Sequence, residues 1–266
     1  MPVRQKERQS QERGGLRLEQ HAKNPTLLGG ALISARVVDR LLEEMAHGAY
    51  AGLDRLPPEL ELASRLGVSR TVVRDALSEL ERGGYLERVR GIGTVVNRDV
   101  VHLAHRMDQK MEFHKMIEAM GRIPHTDHIL VTRQTTDAEL AGVLGLQPGE
   151  TVLVVGKRML ADDIPVLFCT DVMPLSLFGG RLDGIDFSRP IFDVLQDHCD
   201  IQTTSTVARL HAVPGETAVR RLLGLGPDKA LLELEETCYS RLCHPVVRSK
   251  TLYTDFFDFA LVRKLV

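Results

Sequence analysis

An α+β fold in two parts is predicted by three observations. Residues 56–96 read as a helix, a tight turn, a second helix and a glycine-tipped hairpin. Residues 144–253 contain one pattern twice: a Gly-Leu-x-Pro turn followed by two β-prone runs. The chain of 266 residues is long enough for two domains, each with its own core.

In chain order, residues 1–30 are rich in Gln, Arg, Glu and Gly without a sustained apolar period, and are expected to form a disordered arm. Their basic excess would suit phosphate contacts or simple solvation. From Leu32 to about His47, apolar residues at Ile33, Val37, Val38, Leu41, Leu42 and Met45 recur at helical spacing. Pro57 and Pro58 suit the opening turn of a second helix, because a fixed φ and a missing N–H cost nothing there. Leu60, Leu62, Ala63 and Leu66 form its apolar stripe, and Gly67 ends it.

Ser69 is placed to cap a third helix over residues 70–82, stopped by Gly83 and Gly84. At 100° per residue, Val73, Ala76, Leu77 and Leu80 share one face, while Arg70, Thr71, Arg74 and Ser78 share the other. Two β-prone runs, 85–89 and 94–96, then meet across Arg90-Gly91-Ile92-Gly93. Together these elements spell a winged helix-turn-helix, a device that sets one helix into a DNA groove. Ser69, Arg70, Thr71, Arg74 and Ser78 would face bases or phosphates. Arg88, Arg90 and Gly91 would approach the backbone from the wing. Net charge is −2 overall, so this reading depends on local placement: residues 69–98 hold six Arg against four acids.

Residues 98–108 are expected to be a linker between a DNA-binding domain over 31–97 and a second domain over 109–266. A helix is expected through Met111, Phe113, Met116, Ile117 and Met120, closed by Gly121 and Pro124. Then comes the repeat. Leu144-Gly145-Leu146-Gln147-Pro148 is echoed by Leu223-Gly224-Leu225-Gly226-Pro227, and each is followed by a β-rich run and a further proline, Pro165 and Pro245. Two such copies imply an antiparallel sheet with helices set against it. A helix from Ile191 to about His198 and a strand from Thr203 to Arg209 are expected between them.

The four cysteines form no C-x-x-C pair and are too sparse for a disulfide scaffold, which fits a reducing cytoplasm. No apolar run approaches the roughly 18–20 residues needed to span a bilayer. His102/His105 and His125/His128 have H-x-x-H spacing, but no carboxylate completes either set, so no metal or other cofactor is expected. Neither a nucleophile elbow nor a phosphate loop is present.

The stretch LPPELELASRLGVSRTVVRDALSELERGG, followed by GIGTVV, resembles the DNA-binding domain of the GntR family of bacterial transcription regulators. Pro58, Leu60, Val72 and Ile92 depart from that family's usual residues, and they fall on contact positions. The layout of residues 105–262 is similar to the effector-binding domain of the HutC subgroup, called UTRA, with a chorismate-lyase-like fold. The resemblance implies a homodimer, an inverted-repeat operator on double-stranded DNA and a small-molecule effector. It implies a regulator and not an enzyme, the alternative being a lyase-like enzyme fused to a DNA-binding domain. It also implies an effector pocket near the family's Arg-x-Arg strand. That stretch is Lys157-Arg158-Met159 here, and Cys169 and Val247 stand where acids are common. The expected pocket residues are Lys157, Arg158, Cys169, Arg209, Lys250 and Tyr253, with Lys157, Arg209 and Lys250 offered to an anion, the alternative being a less charged ligand.

Overall fold

The structure, a computed structural model, describes residues 25–264. The first 24 residues of the expected arm lie outside the described residues. Two compact units divide at His102/Leu103, with residues 262–264 joining the first.

In the first unit, α1 (Pro25–Ala46) starts seven residues before the position expected from its apolar period. A short strand, β1 (Arg55–Leu56), precedes α2 (Glu59–Leu66) and α3 (Arg70–Arg82). Then come β2 (Leu86–Val89), β3 (Gly93–Val96) and α4 (Arg98–Val101). Val37, Leu41 and Met45 of α1 are buried against Leu62 of α2 and Val73, Ala76, Leu77 and Leu80 of α3. Ile33, expected on the inner face, is exposed. The hairpin gains a third strand, because β1 pairs with β3 and the order is β1-β3-β2. Two residues are too few to show a period, so this strand is invisible to pattern reading. Residues 98–101, expected as linker, are helical. Arg98 reaches back to the carbonyls of Met45 and Tyr50, both at 2.9 Å, which ties α4 to the end of α1. Residues 262–264, expected in the second domain, belong to this unit, with Lys264 Nζ donating to the Glu81 carbonyl at 2.8 Å.

In the second unit, β4 (His105–Arg106) pairs in parallel with the late strand β11 (Phe259–Ala260), so the second half of the expected linker is structured too. The helix expected through Met111 and Met120 is shorter: α5 spans Phe113–Glu118 and is capped by Glu112. The chain continues as β5 (Pro124–Thr135), α6 (Ala138–Leu144), β6 (Thr151–Ala161) and β7 (Ile164–Pro174). After a 3-10 turn come α7 (Ile191–Cys199), β8 (Thr203–Val213), α8 (Thr217–Leu222), β9 (Leu231–Ser240) and β10 (Pro245–Tyr253).

The six long strands form one antiparallel sheet in the order β5-β6-β7-β10-β9-β8. The repeat explains that order. Each half is strand, helix, hairpin, and the two halves meet at β7 and β10 like images across a two-fold axis. The equivalent helices take equivalent places, α6 against β10 and α8 against β7. Gly145, with φ +68°, and Gly224, with φ +66°, take the left-handed turns after those helices, the conformation that selects glycine in both copies.

One face of the sheet, here the front, carries α5, α7 and the 3-10 turn over two apolar clusters. Leu153, Val155, Met173 and Val247 pack under Val194 and Leu195 of α7. Met159, Leu167, Cys169, Leu234 and Tyr253 pack under Met116 and Ile117 of α5. The back face carries Phe168 and Leu252 against Leu223, next to α8.

Candidate functional site

On α3, the Ser69 hydroxyl accepts from the Val72 amide at 3.3 Å, and so serves as N-cap. Ser69, Arg70, Thr71 and Arg74 are all exposed on the side opposite the core. Their accessibility follows from the helical period, since Val73, Ala76, Leu77 and Leu80 take the inner positions. Arg74 has no ion-pair partner among the described residues. Arg70 Nε lies 3.0 Å from Glu59 Oε2, but its side chain stays 71% exposed, so water screens the pair and the guanidinium remains available. Ser78 differs from expectation: half-buried, it donates to the Arg74 carbonyl at 2.8 Å and braces the helix.

The wing also sorts its arginines. Arg88, expected near the tip, is bound by Glu81 of α3 through Nε at 2.9 Å and Nη2 at 2.6 Å, while its amide donates to the same carboxylate at 2.8 Å. Burial works to raise the Glu81 carboxyl, but the bonds and charge of Arg88 prevail and hold it below the usual range. Arg88 therefore fastens wing to helix. Arg90 and Gly91 lie at the exposed turn, where Gly91 takes φ +79° and Ile92 donates its amide to Val89 at 3.0 Å. Arg55, which sequence reasoning passed over, donates to the Ile92 carbonyl at 3.3 Å and steadies that turn from β1.

The six expected effector residues do not converge. Lys157, Cys169 and Tyr253 point to the front of the sheet. Arg158, Arg209 and Lys250 point to the back, because alternation sends neighbours on a strand to opposite faces. Arg158 is a structural clamp: it grips Asp127 at 2.7 and 2.6 Å and donates to the Leu222 carbonyl at 2.6 Å. That grip holds Asp127 below the usual carboxylate range. Arg209 lies exposed on the edge strand. Lys250 meets Glu233 at 3.3 Å and Glu235 at 3.8 Å beside an open groove on the back face.

The front face holds a polar belt between its two apolar clusters. Asp171, Ser249 and Glu236 stand in one cross-strand row, with Lys157, Cys169 and Thr251 in the next. Lys157 is only 3% exposed, and its ammonium donates to the main-chain carbonyls of Arg189 at 2.8 Å and Phe187 at 3.4 Å. Asp171 is as deeply buried. Its Oδ1 accepts from Ser249 Oγ at 2.7 Å, while Oδ2 has no hydrogen-bond partner. Burial raises its carboxyl above the usual range despite Lys157, Ser249 and Lys110. Burial likewise raises the Cys169 thiol and pushes Cys238 up to about 12, so neither is a nucleophile at neutral pH. All four cysteines are free.

A strap, residues 107–112, crosses this belt. Lys110 Nζ forms an ion pair with the buried Glu236 carboxylate and lies 5.6 Å from the Phe192 ring centroid and 5.8 Å from that of Phe113. Glu112 accepts from the amides of His114 at 2.8 Å and Lys115 at 3.3 Å, and from the His114 ring at 3.0 Å. Two adjoining cavities share Lys110 and Met111. One of about 30 Å³ is lined by Lys157, Asp171, Ser249 and Phe192, and one of about 280 Å³ by His105, Thr206, Glu236 and Tyr253. Lys110, Asp171, Glu236 and Ser249 line these cavities and were not among the residues expected from the sequence. A signal existed for Asp171: it is the charged residue among Leu167, Cys169 and Met173 on the inward period of β7.

Two family models cover these two units. The model of the bacterial regulatory proteins of the gntR family matches residues 33–96, and the UTRA domain model matches residues 119–255. The chain belongs to the GntR family and carries a UTRA domain. Among curated relatives, the HTH-type transcriptional repressor NagR of Bacillus subtilis is 26% identical over 224 residues, covering 82% of this chain and 88% of that protein. The HTH-type transcriptional repressor PhnF of Mycolicibacterium smegmatis is 28% identical over 222 residues, covering 84% and 88%. The crystal structure of PhnF from Mycobacterium smegmatis superposes with a TM-score of 0.57 at 26% identity, covering 87% of this chain and 99% of that one. YydK of Bacillus subtilis gives 0.70 at 17% identity over the same shares, a likeness of fold. This GntR-family chain is thus a DNA-binding transcription regulator with an effector-binding domain. Among the described residues no His, Cys, Asp and Glu cluster of three or more is placed to hold a metal, and no helix is long and apolar enough to cross a membrane.

Proposed function

We propose that this regulator is a cytoplasmic repressor that binds an inverted-repeat operator as a homodimer and leaves it when a small molecule occupies the front face of the UTRA sheet. The observation that carries the reading is the joining, in one chain, of a Ser-capped helix with exposed Arg70, Thr71 and Arg74 to a sheet with buried charges beside cavities. The similarity to NagR and PhnF, both HTH-type transcriptional repressors, supports repression. One recognition helix reads only a few base pairs, so two protomers would read half-sites about one helical turn apart. Contacts are assigned to Ser69, Arg70, Thr71, Arg74, Arg90 and Gly91. Lys157 and Tyr253 remain from the expected pocket, joined by Lys110, Asp171, Glu236 and Ser249. A ligand that binds one state better moves the dimer between DNA-competent and incompetent populations.

The test is operator selection from random DNA, followed by binding anisotropy and light scattering. An inverted repeat bound by two chains is expected. A monomer that binds one half-site per chain would sink the dimer reading. Compounds that raise the melting temperature should also lower operator affinity.

A further inference from the structure

We propose that the effector carries an ammonium group, and that this group binds on the front face between Asp171 and Glu236, displacing the ammonium of Lys110. The proposal rests on the reading of this face as the effector site and names the ligand chemistry.

The first ground is the charge balance inside the site. Asp171 and Glu236 are 3% and 2% exposed; Asp171 and Glu112 line the smaller cavity and Glu236 the larger. Against these three acids stand Lys110, already paired with Glu236, and Lys157, two of whose three N–H bonds end on the carbonyls of Phe187 and Arg189. Met159 occupies the place where the family resemblance puts a second arginine, and Arg158, Arg209 and Lys250 lie on the other face of the sheet. A phosphate or carboxylate entering here would meet one spare donor of Lys157, a Lys110 ammonium already engaged by Glu236, and three acidic side chains. In a site withdrawn from water that repulsion is poorly screened.

The second ground is an acceptor without a donor. Asp171 lines the smaller cavity, and its Oδ2 is buried and accepts no hydrogen bond. A buried acceptor left unmade is costly, and an ammonium supplies both the donor and the opposite charge.

The third ground is that a cation already sits in this site. Lys110 extends from the strap so that its Nζ pairs with Glu236 and faces the rings of Phe192 and Phe113. Two aromatic rings and a carboxylate around one nitrogen make a cage for an alkylammonium. Lys110 also lines both cavities. It acts as a tethered competitor: an incoming ammonium takes its place at Glu236, gains Asp171 Oδ2 and frees residues 107–112. That stretch connects β4 to α5, so occupancy and strap position become one equilibrium.

The experiment uses the full chain and a matched set of probes: putrescine, ethanolamine and glucosamine, their N-acetyl derivatives, and glucose 6-phosphate and glycerol 3-phosphate. Melting temperature and calorimetric affinity are read for wild type, D171N, E236Q and K110M. At least one amine should stabilise the wild type, and its N-acetyl form and the phosphate esters should not. D171N and E236Q should each weaken that amine roughly tenfold or more, as expected on loss of a charge-assisted bond. K110M should tighten it roughly tenfold, because the intramolecular competitor is gone. The opposite sign for K110M is what a merely structural lysine would give. Stabilisation of the wild type by a phosphate ester with an unchanged response in D171N would overturn the proposal. So would the absence of any amine response, or an amine response that both acidic variants retain. A chain that releases its operator only for a phosphate ester remains a ligand-responsive regulator, so this result separates the ligand chemistry from the function. A chain that binds no operator at all counts against the function itself.

Discussion

On α3, the residues offered to a partner are exposed and their neighbours one step around the helix are apolar and buried. On the front face of the UTRA sheet, the charged residues are themselves buried, in rows that otherwise pack a core. Arg74 and Arg90 cost the free protein little, because water solvates them. Asp171 and Glu236 sit where apolar side chains would serve stability better, and an unpaired carboxylate oxygen there is a standing penalty. The comparison teaches that the exposed face of α3 can be altered without touching the fold, whereas at the proposed effector site recognition and stability would be set by the same atoms.

The largest expected effect lies behind the exposed face. Leu77 is fully buried, so Leu77→Ala should destabilise the first unit by about 2–5 kcal/mol, seen as a lower urea midpoint with loss of operator binding. Arg74→Ala, three positions earlier, should leave that midpoint in place and weaken specific operator binding by about 1–3 kcal/mol, read by anisotropy. If the two substitutions moved stability together, the separation of inner and outer faces would be wrong.

Asp171→Asn should show the opposite coupling. Because burial raises the Asp171 carboxyl in the folded state, the folded chain holds that proton more tightly than the unfolded chain does. Stability from this group is therefore full at low pH and declines as pH rises from the unfolded value through the raised folded value. Removing the charge should stabilise the second unit by about 1 kcal/mol at neutral pH, with the gain shrinking toward pH 4. Thermal melts of both proteins across that range check the sign. A variant less stable than wild type at pH 8 would show that the charge is compensated.

The smallest effect separates the two wing arginines. Arg90→Ala should reduce the slope of log affinity against log salt by about one, as for a lost phosphate contact. Arg88→Ala should alter that slope less, and should cost stability through the broken Glu81 clamp, read in the same titrations and a melt.

Much of the first unit was legible because its rules are local. A capped helix, its 3.6-residue period and a glycine-tipped hairpin each involve residues within a few positions of one another. The Arg88 clamp was not legible because its partner Glu81 sits on another element, seven residues earlier, and spacing does not reveal which charges pair. In the second unit the repeat was legible, and with it the strands and their antiparallel hairpins. The proposed pocket was not. Lys157 and Arg158 were grouped because the stretch Lys157-Arg158-Met159 matches the family's Arg-x-Arg strand, although a strand sends neighbours to opposite faces.

By itself, the sequence determined the two-part architecture, the recognition helix and the duplicated hairpins, since periodicity and glycine placement act over short distances. Only the tertiary structure decided which charges meet. The order β7-β10 at the centre of the sheet brings Asp171 beside Ser249, with Glu236 one strand further on, and the strap carries Lys110 across 126 residues of sequence to Glu236. Chain separation of that size leaves no local trace, because a buried ion pair depends on register between distant strands and on what covers them.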